Sequence, residues 1–391
     1  MKPLLITANS PGEISGWMQP VLRRYRQAFP EARVVVLLLP CTFASGNEAR
    51  VAGQLEGVSE VIPASRIPAL LAYEGRRFAG CSLLHLGGDL MYTAVLSWRW
   101  GLRCWSYLWA RPWWDSAFVG YFTKNQWGVD WLLKRKVAPE KIRVVGDLVV
   151  DGVYQTVSPQ RPDHNLISFL PGSREQEATS LIPFFLGVAA RLKASHPQLE
   201  FQFHLSPYLD RPEGSQFPVD PALGGVAARL EGGYLVTEQL RAPVRRQDSL
   251  EHLARARLAV AIPGTKTAEA GSLGVPSLCL LPLNRPQDLP YIGLLGLLDW
   301  VPGARAVKSR ILLNMRDTIG LFSQPNQLAS EALIPELVEV IRVETVAELI
   351  EDLIKQNSHL DEVRARLLDL YGPYAGAAEK VVSTISGQTL P

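Results

Sequence analysis

The chain has 391 residues, 47% of them hydrophobic, which is enough for two domains of ordinary size, each with its own core. Its 40 basic and 38 acidic residues leave a formal charge of +2, which excludes the strongly basic character of a general nucleic-acid-binding protein. The four cysteines form no CxxC pair and the six histidines no HxxxH pair, so no metal site is predicted and a disulfide framework is improbable.

The first part of the chain alternates apolar runs with helical segments. Apolar runs predict strands at 4–8, 34–39, 82–86 and 142–145, and a helix is predicted over 16–29. Strands that are apolar throughout are typical of parallel sheets, whose two faces are both covered by helices. The first half is therefore predicted to be a doubly wound α/β domain.

A second α/β series follows a stretch rich in Ser, Pro, Gln and Arg at 157–165, which is typical of a linker. Its strands are predicted at 166–170, 201–205, 258–262 and 277–281, and the Gly- and Pro-rich segment 202–233 is predicted to hold a long loop. Residues after 346 are predicted to be helical. We divide the chain into domains at 1–160 and 161–345, with helices at 346–391 that pack back on the first domain or on a second copy in a homodimer.

Two loops of the second half are candidate phosphate sites, because each leads from a strand end into a helix. In the first, Gly172 permits a tight turn, Ser173 can cap the helix, and Arg174 lies at its first turn. The alternative is an ordinary helix cap with a surface arginine.

In the second loop, Gly264 precedes Thr265 and Thr267, whose hydroxyls can face phosphate, and Glu269 can accept hydrogen bonds from a ribose diol. The alternative assigns Thr265 to a helix cap and Glu269 to a favourable charge near the helix N-terminus.

The first half offers two carboxylates that could act as a general base. Glu13 lies in a flexible strand-to-helix loop with Gly12, Ser15 and Gly16, and Asp89 follows two glycines at the end of another predicted strand. We prefer Asp89, because a rigid strand end positions a group better than a flexible loop. The alternatives are a turn-stabilising role for Asp89 and a capping role for Glu13.

The order of these segments resembles the lipid-A-disaccharide synthase family, inverting glycosyltransferases of the two-domain GT-B fold. The matching segments run along nearly the whole chain: 12–16 is similar to the family's GEASGD loop, 87–89 to a glycine- and Asp-containing strand end, 145–151 to VGHPLAD, 170–174 to LPGSR, 264–270 to SGTATLEA and 334–337 to VPEL.

The resemblance implies a GT-B fold of two Rossmann-like domains facing across a cleft, and a UDP-sugar donor on the second half near Arg174 and Glu269. It also implies an acceptor on the first half under Glu13 and Asp89, and chemistry that needs no metal or other cofactor. Trp17 and Asp147 depart from the family's pattern on the acceptor side, and Lys266 departs in the SGTAT segment. We therefore expect the same reaction type with a changed acceptor.

Eight of the ten tryptophans lie between residues 98 and 131, interleaved with arginines. Tryptophan favours the bilayer interface and basic side chains reach anionic headgroups. The membrane-contact prediction covers Trp98, Trp105, Trp109, Trp113 and Trp114. The alternative is a tryptophan-rich core with exposed arginines.

The sequence thus predicts an inverting, UDP-sugar-dependent glycosyltransferase acting on a lipid or lipid-linked acceptor. No signal peptide or spanning helix is predicted, which favours a cytoplasmic protein bound peripherally to the inner face of the membrane. A nucleotide-sugar 2-epimerase or hydrolase on the same fold, and a catalytically silent membrane-associated relative, stay open as alternatives. The sugar and the acceptor are not encoded in these motifs.

Overall fold

The computed structural model describes residues 3–40, 46–246, 248–284 and 320–387, with the backbone alone at 74–76. The chain forms two compact units. The first comprises Met1–Val157 with Tyr371–Pro391, and the second comprises Ser158–Leu370. The second unit therefore includes much of the helical region predicted at 346–391, and only its last part belongs to the first unit.

The first unit contains a parallel sheet of seven strands in the described residues, in the order β3-β2-β1-β4-β5-β6-β7. The strands are β1 Leu4–Ala8, β2 Val34–Leu38, β3 Glu60–Ile62, β4 Ser82–His85, β5 Arg103–Tyr107, β6 Gly120–Thr123 and β7 Ile142–Val144. The helices are α1 Pro11–Glu13, α2 Gln19–Ala28, α3 Glu48–Gln54, α4 Ile67–Ala69, α5 Leu90–Trp100, α6 Gln126–Lys134 and α7 Leu148–Tyr154. The central strands β1 and β2 are buried at every residue, as their apolar sequences predict.

The chain winds from β1 outward to β3 and then returns to place β4 on the other side of β1. The carboxyl ends of β1 and β4 therefore flank the point where the winding reverses. Open α/β sheets bind ligands at such switch points, because the loops on the two sides turn away from each other and leave a crevice.

The second unit contains nine described strands in the order β10-β11-β12-β13-β9-β8-β14-β15-β16. They are β8 Asp163–Leu170, β9 Glu200–His204, β10 Gln216–Phe217, β11 Ala228–Glu231, β12 Tyr234–Val236, β13 Arg241–Arg245, β14 Ala256–Ala261, β15 Ser277–Pro282 and β16 Glu336–Glu339. The helices are α8 Glu175–Ser195, α9 Ser249–Leu253, α10 Thr265–Ser272, α11 Gln324–Ala329, α12 Val343–Lys355 and α13 Asn357–Tyr371, which ends in the first unit. Here β8 and β14 flank the switch point.

The segment 202–233, which was predicted to hold a long loop, also contains strands that the sequence analysis did not predict. It contributes β10 and β11 to an antiparallel extension in which β10 pairs with β11 and β11 with β12. The alternating burial of β11 places Ala228 and Leu230 inside and two charged residues outside. This period-two pattern is short, and the surrounding glycines and prolines obscured it.

The C-terminal helices divide between the two units. Helix α12 packs against α8 in the second unit, whereas α14, Ala377–Ser386, packs against α2 in the first. The Asp151 carboxylate accepts hydrogen bonds from the backbone N–H groups of Gly376 at 2.6 Å and Ala378 at 2.5 Å. This carboxylate therefore holds the N-terminus of α14, where the helix dipole favours a negative charge. In the described part of the chain, no helix is both long and apolar enough to cross a membrane.

Candidate functional site

Glu13 lies at the switch point of the first sheet, as the last residue of α1, the short helical turn that follows the loop after β1. Its Oε2 atom accepts hydrogen bonds from the backbone N–H groups of Asn9 at 2.7 Å and Ser10 at 3.1 Å. The loop is short because Pro11 starts a helical turn immediately, with Ser10 in the N-cap position. The carboxylate is thus held by the loop's own backbone, and the flexibility predicted for this loop does not apply to its side chain.

Burial raises the pKa of Glu13 to about 7 from its ordinary value of 4.5, although the backbone N–H groups of Asn9 and Ser10 oppose the shift. A carboxyl group that titrates near neutral pH exchanges its proton readily under physiological conditions. This property suits a general acid or base. Perturbed carboxylates of this kind are concentrated at functional sites.

Gly87, which follows β4, leaves the space that the Glu13 carboxyl group occupies. A Cβ atom at this glycine would lie 1.9 Å from Cδ of Glu13. The backbone N–H of Gly87 also bonds the carbonyl oxygen of Thr7 at 3.3 Å. The structure therefore brings the two predicted loops of the first half together around one carboxyl group.

Asp89 occupies the N-cap position of α5. Its Oδ1 atom accepts a hydrogen bond from the backbone N–H of Met91 at 2.8 Å, and the side chain is exposed. Asp89 therefore has a helix-capping role in this structure. Of the two carboxylates, Glu13 has the environment of a titrating group, and our preference for Asp89 finds no support in this geometry.

The predicted acceptor-side loop residues fall on the first turns after β1. Gly12 lies in α1, whereas Ser15 and Gly16 belong to a π-helical turn, Ile14–Met18, which replaces the start of the helix predicted from residue 16. π-Helical turns are rare and occur often at functional sites. Gly16 is buried, and Trp17 packs edge-on against Tyr107 with ring centroids 5.3 Å apart. The side chain of Trp17, which departs from the family's motif, thus fills space beside the Glu13 loop.

Asp147, which departs from the family's motif, has a structural role. This residue is fully buried, caps α7 through the backbone N–H of Val149, and forms an ion pair with Lys124 at 2.7 Å. A buried carboxylate with this set of partners stabilises the end of β7 and the start of α7.

In the second sheet, Gly172 and Arg174 follow β8 at the switch point. Gly172 has a φ of +98°, and a Cβ atom there would lie 2.7 Å from Cδ1 of Ile262 in the loop after β14. The two predicted phosphate loops are therefore adjacent. Helix α8 begins at Glu175 with Arg174 in the N-cap position, so Ser173 does not cap it as predicted. Arg174 forms an ion pair with Glu177 at 2.5 Å.

In the second loop, Gly264 takes the N-cap position of α10, with a φ of +148°. Thr265 is the first helical residue and is partly exposed. Thr267 is fully buried, and its hydroxyl donates a hydrogen bond to the Gly264 carbonyl oxygen at 2.8 Å. Thr267 therefore stabilises the loop internally instead of facing a ligand.

Glu269 is 9% exposed, and Lys266 lies against it with an Nζ–Oε2 distance of 2.6 Å. In the sequence, Lys266 stands out only as a departure from a family motif. The signal that could have identified it is the spacing of three residues to Glu269, which places both on one side of a helix.

A buried polar network lies next to these loops at the carboxyl end of β9. His204 contacts the hydroxyls of Ser168 at 3.1 Å and Ser249 at 2.9 Å. Burial lowers the pKa of His204 to about 3, with smaller contributions from the charges of Lys266 and Arg245. The histidine is therefore neutral at physiological pH, and the surrounding cations make this edge of the sheet suitable for an anion.

The predicted membrane-contact residues divide by exposure. Trp98, Trp109 and Trp113 are 50%, 47% and 63% exposed. Trp114 is half-buried, with its ring centroid 5.5 Å from that of Trp98. Trp105 lies in β5 and is only 4% exposed, so its assignment to a membrane surface was wrong. Trp127, which was not assigned, is 73% exposed.

Within the described ranges, no group of three or more His, Cys, Asp or Glu side chains is placed to hold a metal ion.

Comparison with known proteins identifies the fold. No family model and no curated protein matches the chain. Among solved structures, the UDP-GlcNAc 2-epimerase from Neisseria meningitidis bound to UDP-GlcNAc is similar at a TM-score of 0.56 and 14% identity, over 99% of this chain and 100% of that one. The glycotransferase of kitacinnamycin matches at 0.52 and 12%, over 100% of both chains. MurG from Acinetobacter baumannii matches at 0.50 and 11%, over 99% and 100%.

None of these three structures is a lipid-A-disaccharide synthase, so the finer resemblance rests on the sequence motifs alone. At such identities the likeness establishes the fold and leaves the reaction open. The two α/β sheets, the helical C-terminal region and these matches together show that the chain has the GT-B fold, as predicted.

Proposed function

We propose that this protein is a UDP-sugar-dependent enzyme whose second unit binds the nucleotide. The observation that carries the proposal is the pair of adjacent loops at the β8–β14 switch point, which present Arg174 and Glu269. A guanidinium beside a helix N-terminus is suited to a diphosphate, and a carboxylate to a ribose diol. The solved structure that binds UDP-GlcNAc has the same fold, which supports this choice of ligand.

In this proposal Glu13 is the general base. Its carboxyl group lies at the switch point of the first sheet and has a pKa of about 7, so that its basic form predominates at slightly alkaline pH. Asp89, by contrast, is occupied as a helix cap. We therefore assign the proton transfer to Glu13 in either of the two reactions considered below.

The first candidate reaction is inverting glycosyl transfer to a lipid-linked acceptor. Glu13 removes the proton of the acceptor hydroxyl, the hydroxyl oxygen bonds to the anomeric carbon, and UDP leaves with the electrons of the broken bond. The exposed side chains of Trp98, Trp109 and Trp113 favour this reaction, because an aromatic surface near basic residues suits a membrane interface. The enzyme would then act as a peripheral protein on the membrane surface.

The second candidate is 2-epimerisation or hydrolysis of a UDP-sugar. For inversion at C2, the same carboxylate removes the C2 proton while the C1–O bond breaks and UDP leaves with its electrons. A proton then returns to the opposite face of C2 as UDP adds back to C1, or as water adds there instead in hydrolysis. The similarity to the Neisseria meningitidis UDP-GlcNAc 2-epimerase over the full length of both chains favours this reaction, with a TM-score above that of the glycotransferase of kitacinnamycin. The comparisons therefore support it at least as well as transfer.

The first test is calorimetric binding of UDP and a panel of UDP-sugars to the wild type and to Arg174→Ala. We expect UDP binding that weakens strongly in the variant, since the guanidinium is the proposed partner of the diphosphate. Arg191→Ala, an exposed arginine on the same helix, is the control. Wild-type protein that binds no uridine nucleotide would refute the proposal.

Product analysis with the most tightly bound UDP-sugar then distinguishes the two candidate reactions. Incubation without acceptor, followed by proton NMR, should give the 2-epimer or free sugar if the second reaction is correct. UDP release that depends on added membrane lipids should occur if transfer is correct. Tight binding with neither product would indicate a catalytically silent relative.

A further inference from the structure

The two candidate phosphate loops share an arrangement that the sequence motifs do not describe. Each helix start carries a cation whose ion-pair partner is the glutamate three residues later. Arg174 pairs with Glu177 at the start of α8, and Lys266 pairs with Glu269 at the start of α10. The two pairs flank the switch point between β8 and β14.

The pair on α10 is the more buried of the two. The side chain of Glu269 is 11% exposed and that of Lys266 is 29% exposed, whereas the values for Glu177 and Arg174 are 30% and 39%. Each charge of a partly buried pair needs a partner, because removal of one leaves the other poorly solvated. A ligand that binds one side chain of the pair must therefore also provide a hydrogen-bonding or charged partner for the other side chain.

A nucleoside diphosphate offers both partners at once. Its phosphate oxygens are acceptors for an ammonium group, and its ribose hydroxyls are donors to a carboxylate. The positive charge of Lys266 also contributes to lowering the pKa of His204, which lies at the carboxyl end of β9, the strand beside β8. Lys266 thus lies at the edge of the sheet where the diphosphate is proposed to bind.

We propose that Lys266 is a phosphate-binding residue that exchanges Glu269 for the diphosphate when the nucleotide binds, which leaves Glu269 to accept hydrogen bonds from the ribose. This inference rests on the proposed nucleotide site and adds a residue to it. In the free protein the ion pair holds both side chains in place and keeps the carboxylate occupied. Only a ligand with both a phosphate and a ribose replaces all the interactions that are lost.

The test compares UDP with uridine, which lacks phosphate, on the wild type and on Lys266→Met. Loss of the ammonium should weaken UDP binding about tenfold or more, the usual effect of losing a charge-assisted hydrogen bond. Uridine binding should be unchanged or stronger, because Glu269 is released from its ion pair. The ratio of UDP affinity to uridine affinity should therefore be lower in the variant than in the wild type.

Lys355→Met is the control, since Lys355 forms an ion pair with Asp352 at the same spacing on an exposed surface. Equal weakening of UDP and uridine would indicate a purely structural role for Lys266 and overturn the inference, as would unchanged UDP binding. Lys266→Gln, measured in parallel with thermal unfolding, covers the case in which the methionine variant folds poorly. Wild-type protein that binds no UDP would instead refute the nucleotide site itself.

Discussion

The ionisation of Glu13 links the stability of the fold to its proposed chemistry. Its pKa is about 7 in the folded protein and near 4.5 when burial is removed, so the folded state binds this proton more tightly. The contribution of Glu13 to the free energy of unfolding is therefore largest at low pH and is lost as pH rises from about 4.5 to about 7. At about 1.4 kcal/mol per pH unit, the loss amounts to at most about 3 kcal/mol above neutral pH.

Glu13→Gln keeps the size of the side chain and removes the ionisation. We expect the variant to exceed the wild type in free energy of unfolding by up to about 3 kcal/mol near pH 8, with little difference near pH 4. Urea denaturation at both values measures the difference, and Glu140→Gln, at an exposed site in the same unit, is the control. Parallel stability curves for the variant and the wild type would refute the assigned pKa. The same substitution should abolish turnover of the UDP-sugar, whose wild-type rate should fall as pH drops below about 7.

Three further contacts can be tested by substitution. Gly87→Ala places a Cβ atom against the carboxyl group of Glu13, so we expect urea denaturation to show about 1–3 kcal/mol of destabilisation, together with loss of turnover. Wild-type activity in this variant would contradict the proposed position of the base. Asp151→Asn weakens the two hydrogen bonds at the start of α14, and hydrogen exchange in this helix should accelerate while exchange in α12 stays unchanged. Lys124→Met leaves Asp147 buried without its cation and should lower the free energy of unfolding by about 3 kcal/mol. Asp147→Asn should restore part of this stability in the double variant, whereas additive effects of the two substitutions would argue against the ion pair.

The apolar runs predicted the central strands well. Residues 4–8 and 34–39 are apolar at nearly every position, and burial on both faces of a parallel sheet requires such a pattern. Strand ends that run into glycine-containing loops placed Arg174 and Glu13 near the two switch points. The sequence could indicate this position because α/β sheets bind ligands at one edge, and that edge can be read from where each apolar run ends.

The tryptophans show where pattern alone fails. Trp98 and Trp105 are close in sequence and chemically identical, yet one lies on an exposed part of α5 and the other inside the sheet. The run 103–107 contains polar residues and did not indicate a central strand. Its neighbours β4 and β6 bury it, and a local sequence does not specify which strands are its neighbours.

The sequence by itself determined the fold class, the two α/β series and the strand-end loops in which we place the proposed chemistry, because periodicity and turn residues act over short distances along the chain. Only the tertiary structure showed that the Glu13 carboxyl group is buried whereas Asp89 is an exposed helix cap, and only it revealed the pairing of Lys266 with Glu269. The reason is desolvation. Glu13 titrates near pH 7 because the loop after a different strand, 74 residues away at Gly87, comes close enough to exclude water from its carboxyl group.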